Sequence, residues 1–195
     1  MSIPEALEQA VEGGGNKLTA IYISVLAVLL AICSIGDDDA AKTAVSANIH
    51  AADTYAFFQA KNIRQTSYEL AADEFEFQLM NPALEDAARA FLQDKLARYR
   101  ATVKRYDSEP ESGDGKKELL AKARASEAVR DLALARDPYF DFGQGLLQIA
   151  IVIASVSLIV GGSFLLWVSG VLGGLGALSM LNAFTLLVSV PFLGG

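Results

Sequence analysis

The chain has 195 residues, 20% of them charged, a formal net charge of −7 and a mean hydropathy of +0.33. That mixture is too apolar for one homogeneous soluble fold. It is also too acidic for nucleic-acid binding, because phosphate contacts need a basic footprint and here Lys and Arg are interleaved with more numerous acids. A single cysteine, Cys33, excludes an intramolecular disulfide and a closed cysteine metal site, and reads as a small buried hydrophobe.

Charge and apolarity are segregated along the chain. Charged residues are confined to the first 17 positions and to Asp37–Asp141, while the 54 residues from Phe142 to Gly195 carry none. A bilayer solvent imposes this kind of sorting. The expected fold is therefore all-α: an integral membrane protein with about three transmembrane helices and a helical domain inserted between the first and the second.

Residues 1–17 form an acidic amino-terminal segment (Glu5, Glu8, Glu12) with Lys17 as its only cation, unlike the basic start of a signal peptide, so the apolar run after it reads as a retained anchor. Gly13-Gly14-Gly15 reads as a hinge. That first apolar run, Leu18 to Ile35, has 18 residues, or ~27 Å as a helix, just enough to cross a hydrocarbon core.

The insert, 36–141, is rich in helix formers, lacks strand-like alternation and reads as about three helices. The first continues from Asp37 to Met80, with Ile49, Ala56, Ile63, Leu70 and Phe77 recurring every seven residues beside a second seam (Ala52, Gln59, Thr66, Asp73) that turns polar. Asn81-Pro82 is expected to cap and start a second helix whose buried face is Leu84, Ala88, Leu92, Leu96, Tyr99, Val103 and Tyr106. Asp107 to Gly115 is a turn. A third helix, Lys116 to about Arg136, places Ala121, Ala125, Ala128, Leu132 and Ala135 on one packing face and ends at Asp137-Pro138. Glu85 with Arg89, Asp94 with Arg98 and Glu118 with Lys122 have the spacing of solvated ion pairs.

The last segment, 142–195, reads as a transmembrane hairpin with spans near 146–167 and 171–190, reversing around Leu166 to Gly170 with Trp167 at the interface.

Within this order the residues Thr54-Tyr55-Ala56-Phe57-Phe58-Gln59-Ala60-Lys61-Asn62-Ile63-Arg64, and later Phe140-Asp141-Phe142 leading into Leu146-Leu147-Gln148, resemble a bacterial membrane-protein family known as a domain of unknown function, number four three three seven. The resemblance covers nearly the whole chain and implies no activity. Its usual basic turn between the last two spans is replaced here by the uncharged stretch 160–170. A basic turn would put that turn in the cytoplasm and the insert outside, and Asp37 to Asp39 agree, whereas 15 of the 16 basic residues lie in the insert and favour a cytoplasmic domain. The rule weakens for segments longer than ~60 residues, so both orientations stay open. The expected location is the bacterial inner membrane, multi-pass.

Three sets of candidate functional residues emerge. Tyr55, Phe57, Phe58, Gln59, Lys61, Asn62 and Arg64 mix aromatic bodies with amides and cations, as a partner surface or as a packing face that ties helices together. Gly170, Gly173, Gly174 and Ala177 supply small residues four apart for close transmembrane packing. Gln148, Ser155 and Asn182 are polar within the spans, able to bond between helices or to line a path. His50 with Asp53 lacks a second histidine for a metal site, and 107–118 matches a calcium loop only superficially, with Pro110 and Ser112 in the wrong places.

No charge lies within the spans, which disfavours proton-coupled transport. With so few histidines, cysteines and intramembrane acids, no catalytic residue, metal or cofactor is expected. The functional expectation is a non-catalytic membrane protein acting by helix-mediated assembly, as a homo-oligomer or as an accessory or scaffold subunit of a membrane complex. The alternative is a homo-oligomeric pore lined by the last two spans. The partners expected are the lipid bilayer and either a second copy or a membrane-complex partner.

Overall fold

The computed structural model describes residues 3–160 and 163–190, with side chains from 17 onward. All four elements are helices: α1 (Ile3–Leu79), α2 (Asp86–Asp107), α3 (Lys116–Val160) and α4 (Ser163–Thr185), and no strand occurs among the described residues. Three of them, α1, α3 and α4, are long and apolar enough to cross a membrane. Two compact units divide the chain, one formed by 1–44 with 131–195 and the other by Val45–Arg130. The division falls inside the 36–141 insert because residues at its edges belong to the first unit's core: Ala40, Tyr139 and Phe140 are buried there.

One helix boundary differs from that read in the sequence because tertiary packing outweighs a local breaker. Asp137-Pro138 does not end a helix, since α3 runs through Pro138 to Val160. An internal proline costs a helix about 3 kcal/mol, and here the two residues after it, Tyr139 and Phe140, are buried at 4% and 2% exposure, a burial large enough to offset that cost. The glycine triplet 13–15, read as a hinge, falls within the span of α1.

The last two spans also shift. The helices meet between Val160 and Ser163, so Trp167, Ser169 and Gly170 lie inside α4 and not in a reversal. The intervening Gly161 and Gly162 lie outside the described residues. At its far end α4 stops at Thr185 and not near 190, where Leu186 adopts a positive φ of 50°.

In the first unit the core is Leu26, Cys33 and Ala40 of α1, Leu147 and Ala150 of α3, and Met180 and Ala183 of α4, with Tyr139 and Phe140 at one end. Small residues set the helix separations. A Cβ built on Gly176 would lie 2.9 Å from Leu147 Cγ and 3.0 Å from the Gly143 carbonyl, and one on Gly143 would lie 3.1 Å from the Gly176 carbonyl, so α3 and α4 touch backbone to backbone. Phe140 stacks edge-on against Phe184 at 4.9 Å.

In the second unit α1, α2 and α3 pack through Ala51, Ala72, Leu92, Leu119 and Ala123, all buried. Tyr68 sits edge-on to Tyr99 (5.0 Å) and Tyr106 (5.9 Å), and Phe75 meets Tyr99 at 5.4 Å. The predicted α2 face is therefore the packed one: all seven of its residues are buried or half-buried. The predicted α3 face is corrected, because Ala121, Ala125, Ala128, Leu132 and Ala135 are exposed, whereas Leu119, Ala123, Glu127 and Arg130 turn inward or partly inward. Side-chain length decides the phase: Leu119 supplies burial, and Glu127 and Arg130 reach hydrogen-bond partners that alanines could not.

Asn81 does not cap α2 either. Its Oδ1 accepts the Ala83 amide at 3.0 Å, an Asx turn, and α2 starts after Glu85. Arg89 leaves its predicted partner Glu85 and donates to the Leu79 and Asn81 carbonyls, both at 3.2 Å, capping the end of α1. Asp94 and Arg98 do pair, at 3.0 Å.

Candidate functional site

The mid-α1 cluster resolves into residues that hold the second unit together and residues that do not. Lys61 is 7% exposed, and its Nζ donates to the Asp114 carbonyl, lies 3.9 Å from Glu109 Oε2, and sits over the rings of Phe57 (5.4 Å) and Tyr106 (5.5 Å). A buried lysine needs this degree of compensation. Asn62 accepts from Lys116 Nζ at 2.9 Å, Lys116 also approaches the Phe58 ring at 6.0 Å, and the Tyr55 hydroxyl donates to Glu127 at 3.2 Å. Four of the seven candidates thus tie α1 to α3 and to the 108–115 loop. Phe57 stays 41% exposed, and Gln59 and Arg64 are exposed.

In the 107–118 loop three of the four acids of the calcium-like pattern, Asp107, Glu109 and Glu118, are committed to other contacts. Glu118, at the position of a bidentate ligand, accepts from Ser108 Oγ (2.6 Å) and from the Glu109 amide (3.1 Å), and the Ser108 hydrogen bond, followed by the Glu109 amide, holds its carboxyl below the ordinary range. Asp107 pairs with Lys117 at 2.9 Å, an interaction that lowers the Asp107 carboxyl and raises the Lys117 amine. Lys122 does not pair with Glu118 as its spacing suggested; it donates to the Gly113 carbonyl at 2.6 Å. Gly113 has φ +68°, and a Cβ on Gly115 would collide with Glu118 and Glu109 and lie 2.7 Å from Ser108 Cα. Both glycines are therefore required by the turn. His50 and Asp53 are exposed, and no group of three potential metal ligands exists among the described residues.

Of the small residues in α4, Gly173 packs inward, a Cβ there lying 2.8 Å from Leu26 and 3.1 Å from the Tyr22 hydroxyl. Ala177 is half-buried. Gly170 and Gly174 face open space, with nothing within 4 Å of an added Cβ, and a shallow cleft of about 530 Å³ runs past Gly170 between Ser163, Leu166, Trp167 and Val171. Gly176, where an added Cβ would lie 3.0 Å from the Gly143 carbonyl, was not singled out from the sequence.

The intramembrane polar candidates separate in the same way. Asn182 spends its amide on one residue, donating to the Val188 carbonyl (2.8 Å) and accepting from its amide (2.9 Å), so that it ties down the chain after α4. Tyr139 assists, donating to the same carbonyl at 3.3 Å and accepting from the Val190 amide at 3.0 Å. Ser155 bonds back to the Ile151 carbonyl at 2.8 Å within its own helix, and Gln148 is exposed. Interhelical hydrogen bonds come from residues outside these three, among them Ser179, one of several span residues whose type suits bonding between helices. Ser169 Oγ lies 2.7 Å from the Ala150 carbonyl and 3.1 Å from the Tyr22 hydroxyl, joining all three apolar helices. Ser179 bonds the Tyr139 carbonyl, Cys33 the Phe140 carbonyl, and Ser34 the Gln144 amide oxygen. The available signal was small polar residues in heptad phase with buried positions of α1, namely Cys33 seven residues after Leu26.

The family model described as Domain of unknown function (DUF4337) matches residues 15–186. The chain belongs to this family. The DUF4337 match begins before the first apolar run and ends one residue after α4, so the family is defined by the spans and the charged insert together. No curated protein and no solved structure is matched by the chain.

Proposed function

We propose that this DUF4337 protein is a non-catalytic, multi-pass protein of the bacterial inner membrane that acts by helix-mediated assembly, with copies of itself or as an accessory subunit of a membrane complex. One observation carries this reading. In the three membrane-length helices only 11%, 28% and 22% of the most apolar stretch is buried inside the chain. Apolar helix surface on this scale needs lipid or another protein against it. The polar groups supply the complementary argument, because Lys61, Asn62, Tyr55 and Asn182 are committed to internal contacts and provide structure in place of a reactive centre.

The pore alternative loses its best lining candidate, since both ends of the Asn182 amide are satisfied by Val188. Lipid-facing surface accounts for part of the exposed area within the spans, but not for the large apolar side chains exposed in the charged segment.

Co-expression of an affinity-tagged and an untagged copy tests the proposal. Solubilised membranes should yield the untagged copy, or one stoichiometric foreign chain, with the tagged one. Recovery of the tagged chain alone, across mild detergents, would overturn it.

A further inference from the structure

Counting by sevens through α1 separates two faces. Leu26, Cys33 and Ala40 are buried, at 3%, 0% and 6% exposure, as are Ala44, Ala47 and Ala51. The other series, Ile49, Ala56, Ile63, Leu70 and Phe77, is exposed throughout the charged segment, with Ile63 at 68%, Leu70 at 66% and Phe77 at 71%. In the same phase toward the amino terminus stand Ile35, Val28 and Ile21, all exposed, with Lys42 as the one charged member of the series.

The series supplies one of the two apolar positions per heptad of a helix wound against another helix, over four heptads, while the second position (Ala52, Gln59, Thr66, Asp73) turns polar. Ordinary solvated faces do not keep it. An α-helix drifts ~20° per heptad relative to such a repeat, so the spacing is useful only to a partner that supercoils with it. Among the described residues, nothing covers the stripe.

We propose that the Ile49–Ala56–Ile63–Leu70–Phe77 stripe of α1 is the docking surface for α1 of a second copy of this chain, forming a parallel helix pair. This rests on the assembly reading above and names its partner and surface.

Three observations select a second copy. First, Ile49 lies 14 residues after Ile35, the end of the first apolar run, on the same unbroken helix. Two copies anchored by that run arrive parallel and at matching depth, which raises the effective concentration of one stripe for the other. Second, Ala56 within the stripe and Ala52 and Ala60 beside it have side chains small enough for close approach. Third, Lys42 sits in the repeat with Asp38 3.3 Å away, both largely exposed. A pair of copies would meet at that layer with an acid beside each cation, and a single lysine in such a seam fixes register. Along the span the same phase passes a shallow cleft of about 330 Å³ lined by Ile21, Ser24, Val25, Val28 and Leu29, a recess able to receive a side chain from a facing helix.

The test is oxidative cross-linking of the full chain in membranes. Ile63→Cys and Leu70→Cys are compared with Gln93→Cys, an exposed site on α2, and with the unaltered chain, whose Cys33 is buried. The stripe variants should give disulfide-linked homodimers many-fold faster than Gln93→Cys. Equal rates at all three sites, or links to a foreign chain at Ile63, would overturn the proposal. Ile63→Glu, at an exposed position and so harmless to the fold, should sharply reduce recovery of untagged by tagged chain at unchanged helix content; unchanged recovery would count against the stripe. Copies that still co-purify without cross-linking through the stripe would refute this surface and leave assembly standing, whereas loss of both would refute assembly itself.

Discussion

Substituting valine at Gly176 and at Gly174 should have opposite consequences although the two positions are two residues apart on one helix. At Gly176 an added Cβ meets Leu147 Cγ at 2.9 Å, the Gly143 carbonyl at 3.0 Å and Leu146 Cβ at 3.2 Å. The leucine can move but the backbone carbonyl cannot without separating α3 from α4. Alanine there asks for a few tenths of an ångström, and valine, with two further methyl groups, forces the helices apart at an expected cost of about 1–3 kcal/mol. At Gly174 nothing lies within 4 Å, and replacing glycine in a helix gains a few tenths of a kcal/mol. Unfolding of the purified protein in mixed micelles, followed as helix content against denaturing detergent, should rank the variants Gly176→Val, then Gly176→Ala, then wild type with Gly174→Val. Equal loss at the two sites, or a larger loss at Gly174, would refute the assignment of the inner and outer faces of α4.

Three further outcomes rest on named contacts. Burial, reinforced by Asp141, Asp137 and Asp38, raises the Asp37 carboxyl above its ordinary value, so the folded state binds this proton more tightly than the unfolded one and loses stability as pH rises through that range. Asp37→Asn should therefore raise the melting temperature at pH 7, with the gain vanishing in acid below the ordinary carboxylate range; a pH-independent effect would exclude the titration as its cause. Lys61→Met keeps the stem but strands the Asp114 carbonyl and leaves Glu109 only its Arg105 partner, and should destabilise by about 1–3 kcal/mol, with faster amide exchange in 108–115; unaltered exchange would show that the lysine does not hold the loop. Asn182→Leu should expose 186–190 to proteolysis and leave bilayer conductance unchanged, whereas altered conductance would revive the pore.

The sequence disclosed element type and the membrane-length helices because charge and apolarity are sorted into blocks, which no tertiary detail can hide. The α2 face was legible for a similar reason, as its apolar positions keep one phase from Leu84 to Tyr106. Boundaries were misread where a local signal was overruled: Pro138 is carried by the burial of Tyr139 and Phe140, and Asn81 prefers its own turn to capping α2. The small-residue signal named α4 without separating its two faces, since Gly170 and Gly174 have the same spacing as an inner pair and only the neighbours distinguish them. The mid-α1 cluster was legible as a partner surface or a packing face, but not which of its residues pack, because the partners of Lys61 and Asn62 lie 53 and 54 residues away across a loop. The seven-residue series was visible as a pattern, but its exposure was not.

The most direct test of helix-mediated assembly is the native mass of the protein extracted in a mild detergent, with every co-purifying chain identified in the same sample. A dimer or a higher even-numbered homo-oligomer is the predicted result, as a paired α1 requires. A monodisperse monomer with no companion, at concentrations where the chain remains folded, would contradict the claim that this protein works through helix-mediated contacts.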